Sequence, residues 1–237
     1  MKLKAKSSSW IEKAKKKAAS EAVKHVKDGY IVGLGSGSTA AYAIKEMGRK
    51  ILQKKWQILG VPTSYQAMQL ATENGIKITT LQEYPQLDLT IDGADQIDEK
   101  LNLIKGMGGA LTREKIVASV SKQVVIVADE SKLVKTLGMN HSVPIEVLPF
   151  ATSAVTLRIR KTKGKPCLRE TSGKVGPLVT DNGNFILDVD FGPIDAPRRL
   201  DSQLKYIPGV VETGIFAGMA DIVYLGTKYN AQKLRKR

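Results

Sequence analysis

Apolar residues recur along this chain at two spacings. Ile11, Ala14, Ala18, Ala22 and Val26 fall at helical intervals with lysines largely on the opposite face, and Ser9-Trp10-Ile11-Glu12 has capping-box form. A first helix is therefore predicted from Ser9 to about Asp28-Gly29. A short run, Tyr30-Ile31-Val32, then enters Gly33-Leu34-Gly35-Ser36-Gly37-Ser38-Thr39, and Ala40, Ala41, Ile44, Met47 and Ile51 supply the buried stripe of a second helix. Ile58 to Val61 reads as a strand, Thr63 or Ser64 as the cap of a third helix, and Asn74-Gly75 as its stop. Strands are expected at 76–80 and 87–91, a helix at 110–119 and a β-branched buried strand at 124–128. Strands alternating with helices at this spacing predict a mostly parallel sheet covered on both faces, with its ligand crevice at the carboxyl ends of the strands.

From Pro144 the order changes to strand, helix, two strands, helix, strand, ending near residue 215, which resembles a ferredoxin-like α+β unit. Asp221 to Gly226 reads as another buried strand that returns to the larger sheet. The division expected is thus 1–143 plus 215–237 for the larger domain and 144–214 for an inserted smaller one.

The 237 residues, 42% of them hydrophobic, are enough for a real core. Cys167 is alone, so no internal disulfide forms and a reducing compartment fits; no run has the length and apolarity of a membrane span or signal peptide, and a cytoplasmic location is expected. The net charge of +14 would suggest nucleic acid if it were spread over the body. Instead, residues 1–27 hold nine lysines against Glu12 and Glu21, and residues 228–237 hold Lys228, Lys233, Arg235, Lys236 and Arg237. Basic ends on a near-neutral body read as solvated tails, and neither a nucleic acid nor a membrane is expected as a partner.

Two stretches carry candidate chemistry. Gly33 to Thr39 joins a strand to a helix, so backbone N–H groups and the Ser36, Ser38 and Thr39 hydroxyls can cradle an anion. A Walker lysine is absent. Gly35-x-Gly37-x-x-Ala40 meets the dinucleotide pattern loosely, but no acidic residue follows the second strand to hold a ribose, which favours a small phosphate or a sugar hydroxyl, then a plain turn, over a dinucleotide. The second stretch, 90–115, packs Asp92, Asp95, Asp98, Lys105, a Gly106/Gly108/Gly109 loop and Glu114 together. Asp92-Gly93-Ala94-Asp95 could bring two acids to one ligand or be an acidic turn. A metal site on the three aspartates lacks the EF-hand order, and only His25 and His141 could supplement it. Glu114 lies where a helix dipole favours a carboxylate in any case. Beside Lys105 and oriented N–H groups, however, a carboxylate base could take a proton from carbon next to a carbonyl, the cation holding the enediolate oxygens. With the anion cradle, that set describes proton abstraction on a phosphorylated sugar.

GLGSGSTA, TIDGADQID, IKGMGGALTREKIVA, ADESK at 128–132 and VTDNGN together make the chain resemble ribose-5-phosphate isomerase of the A type, from about residue 9 to 227. The resemblance implies a Rossmann-like α/β domain carrying a ferredoxin-like one, no metal or organic cofactor, assembly as a homodimer or homotetramer, and interconversion of D-ribose 5-phosphate and D-ribulose 5-phosphate. It implies Glu114 as the base acting through a cis-enediolate and Asp92 and Asp95, with Gly93 and Ala94 between them, on the sugar hydroxyls and ring opening. It further implies Lys105, Gly106, Met107 and Gly108 as the oxyanion loop, Ser36, Gly37, Ser38 and Thr39 as the substrate loop, and Lys132 as a further substrate contact. Met107 stands where several relatives have glycine, and the lysine-rich start has no counterpart. Asp98 falls out as a solvent or turn residue. A deaminase or lactonase on the same architecture would call for a catalytic histidine near the acids, and a sugar-phosphate sensor would call for a helix-turn-helix; neither is present.

Overall fold

The computed structural model describes the backbone of residues 2–236 and the side chains of residues 10–173 and 175–236. The chain begins with α1 (Lys2–Val23), β1 (Ile31–Leu34), α2 (Ser38–Lys54), β2 (Leu59–Pro62), α3 (Tyr65–Glu73), β3 (Lys77–Ile78) and β4 (Leu89–Gly93). It continues with β5 (Gln96–Ile97), β6 (Leu103–Ile104), α4 (Leu111–Ser119), β7 (Val124–Asp129), β8 (Val143–Val147), α5 (Thr152–Lys161) and β9 (Lys165–Leu168). The remainder is β10 (Glu170–Thr171), β11 (Lys174–Pro177), β12 (Phe185–Asp190), α6 (Pro197–Lys205), β13 (Val210–Thr213), β14 (Ile215–Phe216), β15 (Ile222–Gly226) and β16 (Ala231–Arg235). Two compact units result: Met1–Ala94, Arg113–Lys132 and Met219–Arg237 form the first, Asp95–Thr112 and Leu133–Gly218 the second.

The first unit holds a seven-stranded sheet ordered β16-β15-β7-β4-β1-β2-β3, parallel throughout except for the antiparallel β15/β16 pair. Its central strands are buried apolar runs without the alternation of a half-exposed strand, as a parallel sheet covered on both faces requires. On one face, Ala18, Ala22 and Val23 of α1 and Ile44 and Met47 of α2 pack on Val32, Leu34, Leu89, Ile91, Val125 and Val127. On the other, Val117 of α4 meets Val61 and Leu87. The alanine stripe of α1 buries little area per residue but permits close approach: a Cβ on Gly226 would lie 1.9 Å from the Ala14 carbonyl oxygen. The chain leaves β1 toward β2 on one side and returns to β4 on the other, so the sheet has its switch point between the carboxyl ends of β1 and β4.

In the second unit, β8-α5-β9-β12-α6-β13 forms a four-stranded antiparallel sheet ordered β13-β8-β12-β9, the ferredoxin-like arrangement read from the sequence. Val155 and Ile159 of α5 and Leu204 of α6 close its core over Ile145, Leu187 and Val189. A three-stranded sheet, β14-β6-β5, and the β10/β11 hairpin complete it.

Several sequence expectations need adjustment. The second unit takes in 95–112 and 133–143 as well as 144–214 and runs on to Gly218, because Ile104 and Ile215 join the core of the small unit and Lys105 N–H donates to Gly214 O at 2.9 Å. Helix α1 starts at Lys2, so Ser9 lies within it; no Gly or Pro from Lys2 onward breaks the run. Glu12 instead accepts from the Tyr42 hydroxyl on α2. The strand expected at 87–91 runs two residues later, through Asp92 and Gly93. The strand expected to end at 215 divides at Gly214, where a Cβ would lie 2.3 Å from Lys105 O. Residues 231–235, read as part of a solvated basic tail, form β16 in register with the whole of β15.

Candidate active site

The residues singled out for chemistry fall into two groups, one on each unit. In the first unit, β1 delivers Gly35 to Thr39 and β4 delivers Asp92 and Gly93 to adjacent carboxyl ends of the sheet. Gly35 N–H donates to Ile91 O at 3.0 Å, and the chain then turns so that Ser36 N–H donates to Asp92 Oδ1 at 3.1 Å. Gly93 N–H donates to the same oxygen at 2.7 Å. Asp92, only 2% exposed, is thus held by backbone donors from the loop after β1 and from β4 itself. Gly37 takes φ +90° and occupies the N-cap position of α2, where it offers no capping side chain. The first N–H groups of α2, at Ser38 and Thr39, have no acceptor within their own helix, which with the helix dipole makes an anion cradle.

Sequence reasoning missed what fixes this loop. Ser36 Oγ lies 2.7 Å from Thr63 Oγ1 and donates to Ser64 Oγ at 2.6 Å, while Gly37 N–H donates to Gln66 Oε1 at 3.0 Å. Ser64 also caps α3, accepting from Ala67 N–H at 3.1 Å. The sequence pattern marks Thr63 and Ser64 as helix caps, and their place at the carboxyl end of the second strand is the signal for this further role. Lys15 Nζ donates to Ser38 Oγ at 3.0 Å, linking the basic first helix to the loop. Thr39 is half-buried in the first turn of α2, and Ala94 is partly exposed at the unit's edge.

Glu114 lies in the first turn of α4, 5% exposed, where the helix dipole favours its charge. Arg113 beside it stacks over the Tyr65 ring at 5.3 Å. Lys132, partly buried, ends the short 3-10 turn that follows the carboxyl end of β7. That turn is pinned by Asp129, whose Oδ1 accepts from Ser131 N–H at 3.1 Å and from the Ser131 hydroxyl.

In the second unit, Asp95 N–H donates to Ile104 O at 2.8 Å, and Asp95 Oδ2 accepts from Met107 N–H at 3.0 Å. Lys105 is 3% exposed, its ammonium 5.4 Å from the centre of the Phe216 ring. The loop that follows turns through Gly106 at φ +104° and Gly109 at φ +82°, closed by Gly109 N–H on Gly106 O at 3.0 Å. Met107 and Gly108 at its tip are exposed. Asp98 is a buried turn residue: Oδ1 accepts from Lys100 N–H at 2.9 Å and Asn102 N–H at 2.8 Å.

The VTDNGN segment builds the polar interior of this unit. Glu146 is fully buried and accepts from Thr180 Oγ1 (2.8 Å), Asn182 Nδ2 (3.1 Å) and Asn184 Nδ2 (2.8 Å) through Oε1, and from the Thr112 hydroxyl through Oε2. Among the described residues no three His, Cys, Asp or Glu side chains are grouped to hold a metal ion, and no helix is long and apolar enough to cross a membrane.

Residues 59–230 match the family model described as ribose 5-phosphate isomerase A (phosphoriboisomerase A). Ribose-5-phosphate isomerase A of Methanosarcina acetivorans is 54% identical over 212 residues, covering 90% of this chain and 89% of that protein. The solved structure of ribose 5-phosphate isomerase A from Methanocaldococcus jannaschii is similar at a TM-score of 0.92 and 45% identity, covering 95% of this chain and 99% of that one. A D-ribose-5-phosphate isomerase solved in complex with phospho-erythronic acid gives a TM-score of 0.93 at 46% identity, with the same coverage of 95% and 99%. On the strength of the matched sequence and the shared fold, the chain belongs to the ribose 5-phosphate isomerase A family.

Proposed function

We propose that the protein interconverts D-ribose 5-phosphate and D-ribulose 5-phosphate by metal-free proton transfer through a cis-enediolate. Ser36, Gly37, Ser38 and Thr39, with the open N–H groups of α2, bind the phosphate, and Lys132 adds positive charge beyond β7. Asp92 and Asp95 hold sugar hydroxyls and assist opening of the furanose ring. On the open-chain aldose, Glu114 takes the proton from C2, the C1–C2 pair becomes the enediolate, and the same carboxyl returns a proton to C1 while the hydroxyl proton at O2 passes to O1. Lys105, with the backbone N–H groups of Gly106 and Gly108, stabilises the oxygens on which charge develops.

The observation that carries this reading is burial. Asp92, Lys105 and Glu114 are 2%, 3% and 5% exposed, and ionisable side chains withdrawn from water are those whose protonation a site can tune to its chemistry. Family membership supplies the substrate class: the relative solved with phospho-erythronic acid holds a phosphorylated four-carbon acid. Assembly as a homodimer or homotetramer and a cytoplasmic location belong to the same proposal, and sedimentation equilibrium measures the first.

The test is conversion of ribose 5-phosphate to ribulose 5-phosphate by the purified protein in EDTA. Turnover unaffected by the chelator is expected. Turnover that vanishes and returns only with added metal would overturn the mechanism.

A further inference from the structure

Arg169 follows β9 directly. Its backbone is fixed on both sides, its N–H donating to Ile186 O and its carbonyl accepting from Leu178 N–H, each at 2.9 Å. The side chain is only 9% exposed and meets Asp188 of β12 with two prongs, Nε to Oδ2 at 2.7 Å and Nη2 to Oδ1. The remaining nitrogen, Nη1, donates to Gly106 O at 2.9 Å and to Met107 O at 3.0 Å. A planar guanidinium can pair a carboxylate along one edge and still present a donor to two carbonyls; a lysine ammonium has neither the reach nor the fork.

The peptide geometry gives this contact a consequence. No described peptide bond is cis, so each carbonyl points opposite to the N–H of the next residue. With the carbonyls of Gly106 and Met107 turned toward Arg169, the N–H groups of Met107 and Gly108 are turned away from it. Met107 N–H is found on Asp95 Oδ2 at 3.0 Å, as this requires. Gly108 N–H shares that outward direction at a position where even an added Cβ would meet nothing within 4 Å. Three glycines in four positions leave this loop free to flip its peptides, and the guanidinium holds them in one state. Its charge on the carbonyls also polarises the same peptide units, making their N–H groups stronger donors.

We infer that Arg169, anchored by Asp188, is a positioning residue for the isomerisation: it sets the peptide planes of residues 106–108 so that the Met107 N–H holds Asp95 and the Gly108 N–H faces the developing oxyanion. The inference rests on the reading that this loop stabilises the enediolate.

The experiment uses Arg169→Ala, Arg169→Lys and Asp188→Ala in the full chain, with Lys105→Met as control. In the Arg169 variants, amide hydrogen exchange in the 105–109 segment rises by at least about tenfold. Their kcat falls about 10²-fold while KM moves less than about threefold, because a donor set that acts on the transition state is being released. Phospho-erythronic acid, the probe, loses inhibition in parallel, and guanidinium at a sub-denaturing concentration restores part of the Arg169→Ala turnover. Asp188→Ala, which keeps the arginine but frees it, shows a smaller change of the same kind. A folded Arg169→Ala with unchanged exchange at 105–109, or with kcat within about threefold of the parent, overturns the inference. If Arg169→Ala does not fold, Asp188→Ala decides by the same two readouts. Full turnover in Lys105→Met would overturn the reading of the loop itself, a result distinct from either outcome at Arg169.

Discussion

Gly35 leaves open the space that the Asp92 side chain fills. A Cβ at residue 35 would lie 2.1 Å from Asp92 Oδ1 and 2.5 Å from Asp92 Cα, and the second distance cannot be relieved by rotating a side chain. Substitution must therefore push β1 and β4 apart at their carboxyl ends. Gly35→Ala is expected to lower kcat/KM by about 10²-fold, the scale of a misplacement near 1 Å. At Gly37 an added Cβ meets nothing within 4 Å, and only its backbone of φ +90° and ψ 178° resists, so Gly37→Ala should cost about 1–3 kcal/mol of stability and less activity than Gly35→Ala. Steady-state kinetics and thermal unfolding of the two variants check the contrast.

The glycines of the second loop divide in the same way. A Cβ on Gly106, which has φ +104°, would lie 2.9 Å from Leu111 Cβ, whereas Gly108 has no positive φ and open space around it. Gly106→Ala is expected to destabilise the protein by about 1–3 kcal/mol and to lose most turnover, while Gly108→Ala leaves the melting temperature within error. Equal losses of stability in both would contradict this assignment.

Glu146 tests the buried network. Its replacement by alanine strands Thr112, Thr180 and Asn184, all buried, without their shared acceptor. The expected loss is about 1–3 kcal/mol for each donor left unsatisfied, enough that chemical denaturation should show an early transition. Glu146→Gln, which keeps one acceptor oxygen, should lose less.

The end of the chain carries a pH prediction. His25 lies 2.9 Å from the Tyr224 hydroxyl, and burial, then Lys233 and Arg235 of β16, hold its pKa below the ordinary histidine value. A depressed folded-state pKa means the contribution is present above the unfolded pKa of ~6.5 and is lost as pH falls through the folded value. Stability measured from pH 8 to 5 should therefore fall more steeply in the parent than in His25→Gln. Deleting residues 231–237 should flatten the same slope, and by baring the fully buried strand β15 as an edge it should also raise aggregation seen by light scattering.

What could be read in the sequence followed the strength of local signals. The strand, glycine loop and helix around Ser36 to Thr39 announce themselves because glycine, hydroxyl and apolar stripe are neighbours in the chain. Asp92 and Glu114 were legible for the same reason, set beside glycines and at a helix start. The partners of Ser36, however, come from Thr63 and Ser64 at the end of another strand, and only the parallel register of β1 and β2 brings them together. Strands β5 and β6 have two residues each, too few for any period to show. Strand β16 is an edge whose side chains are mostly exposed, so its pattern is that of a charged tail. Arg169 directly follows a short strand, and nothing near it in sequence reveals that its guanidinium reaches back about sixty positions.

The central claim is that Glu114 moves the carbon-bound proton, and turnover of Glu114→Gln measures it most directly. A glutamine keeps the shape of the side chain and removes the base, so substrate should still bind with KM near the parent value while kcat falls by roughly 10²- to 10⁴-fold or more. A folded Glu114→Gln protein that converts ribose 5-phosphate at near the parent rate would contradict the account and leave Glu114 as a carboxylate that only stabilises the start of its helix.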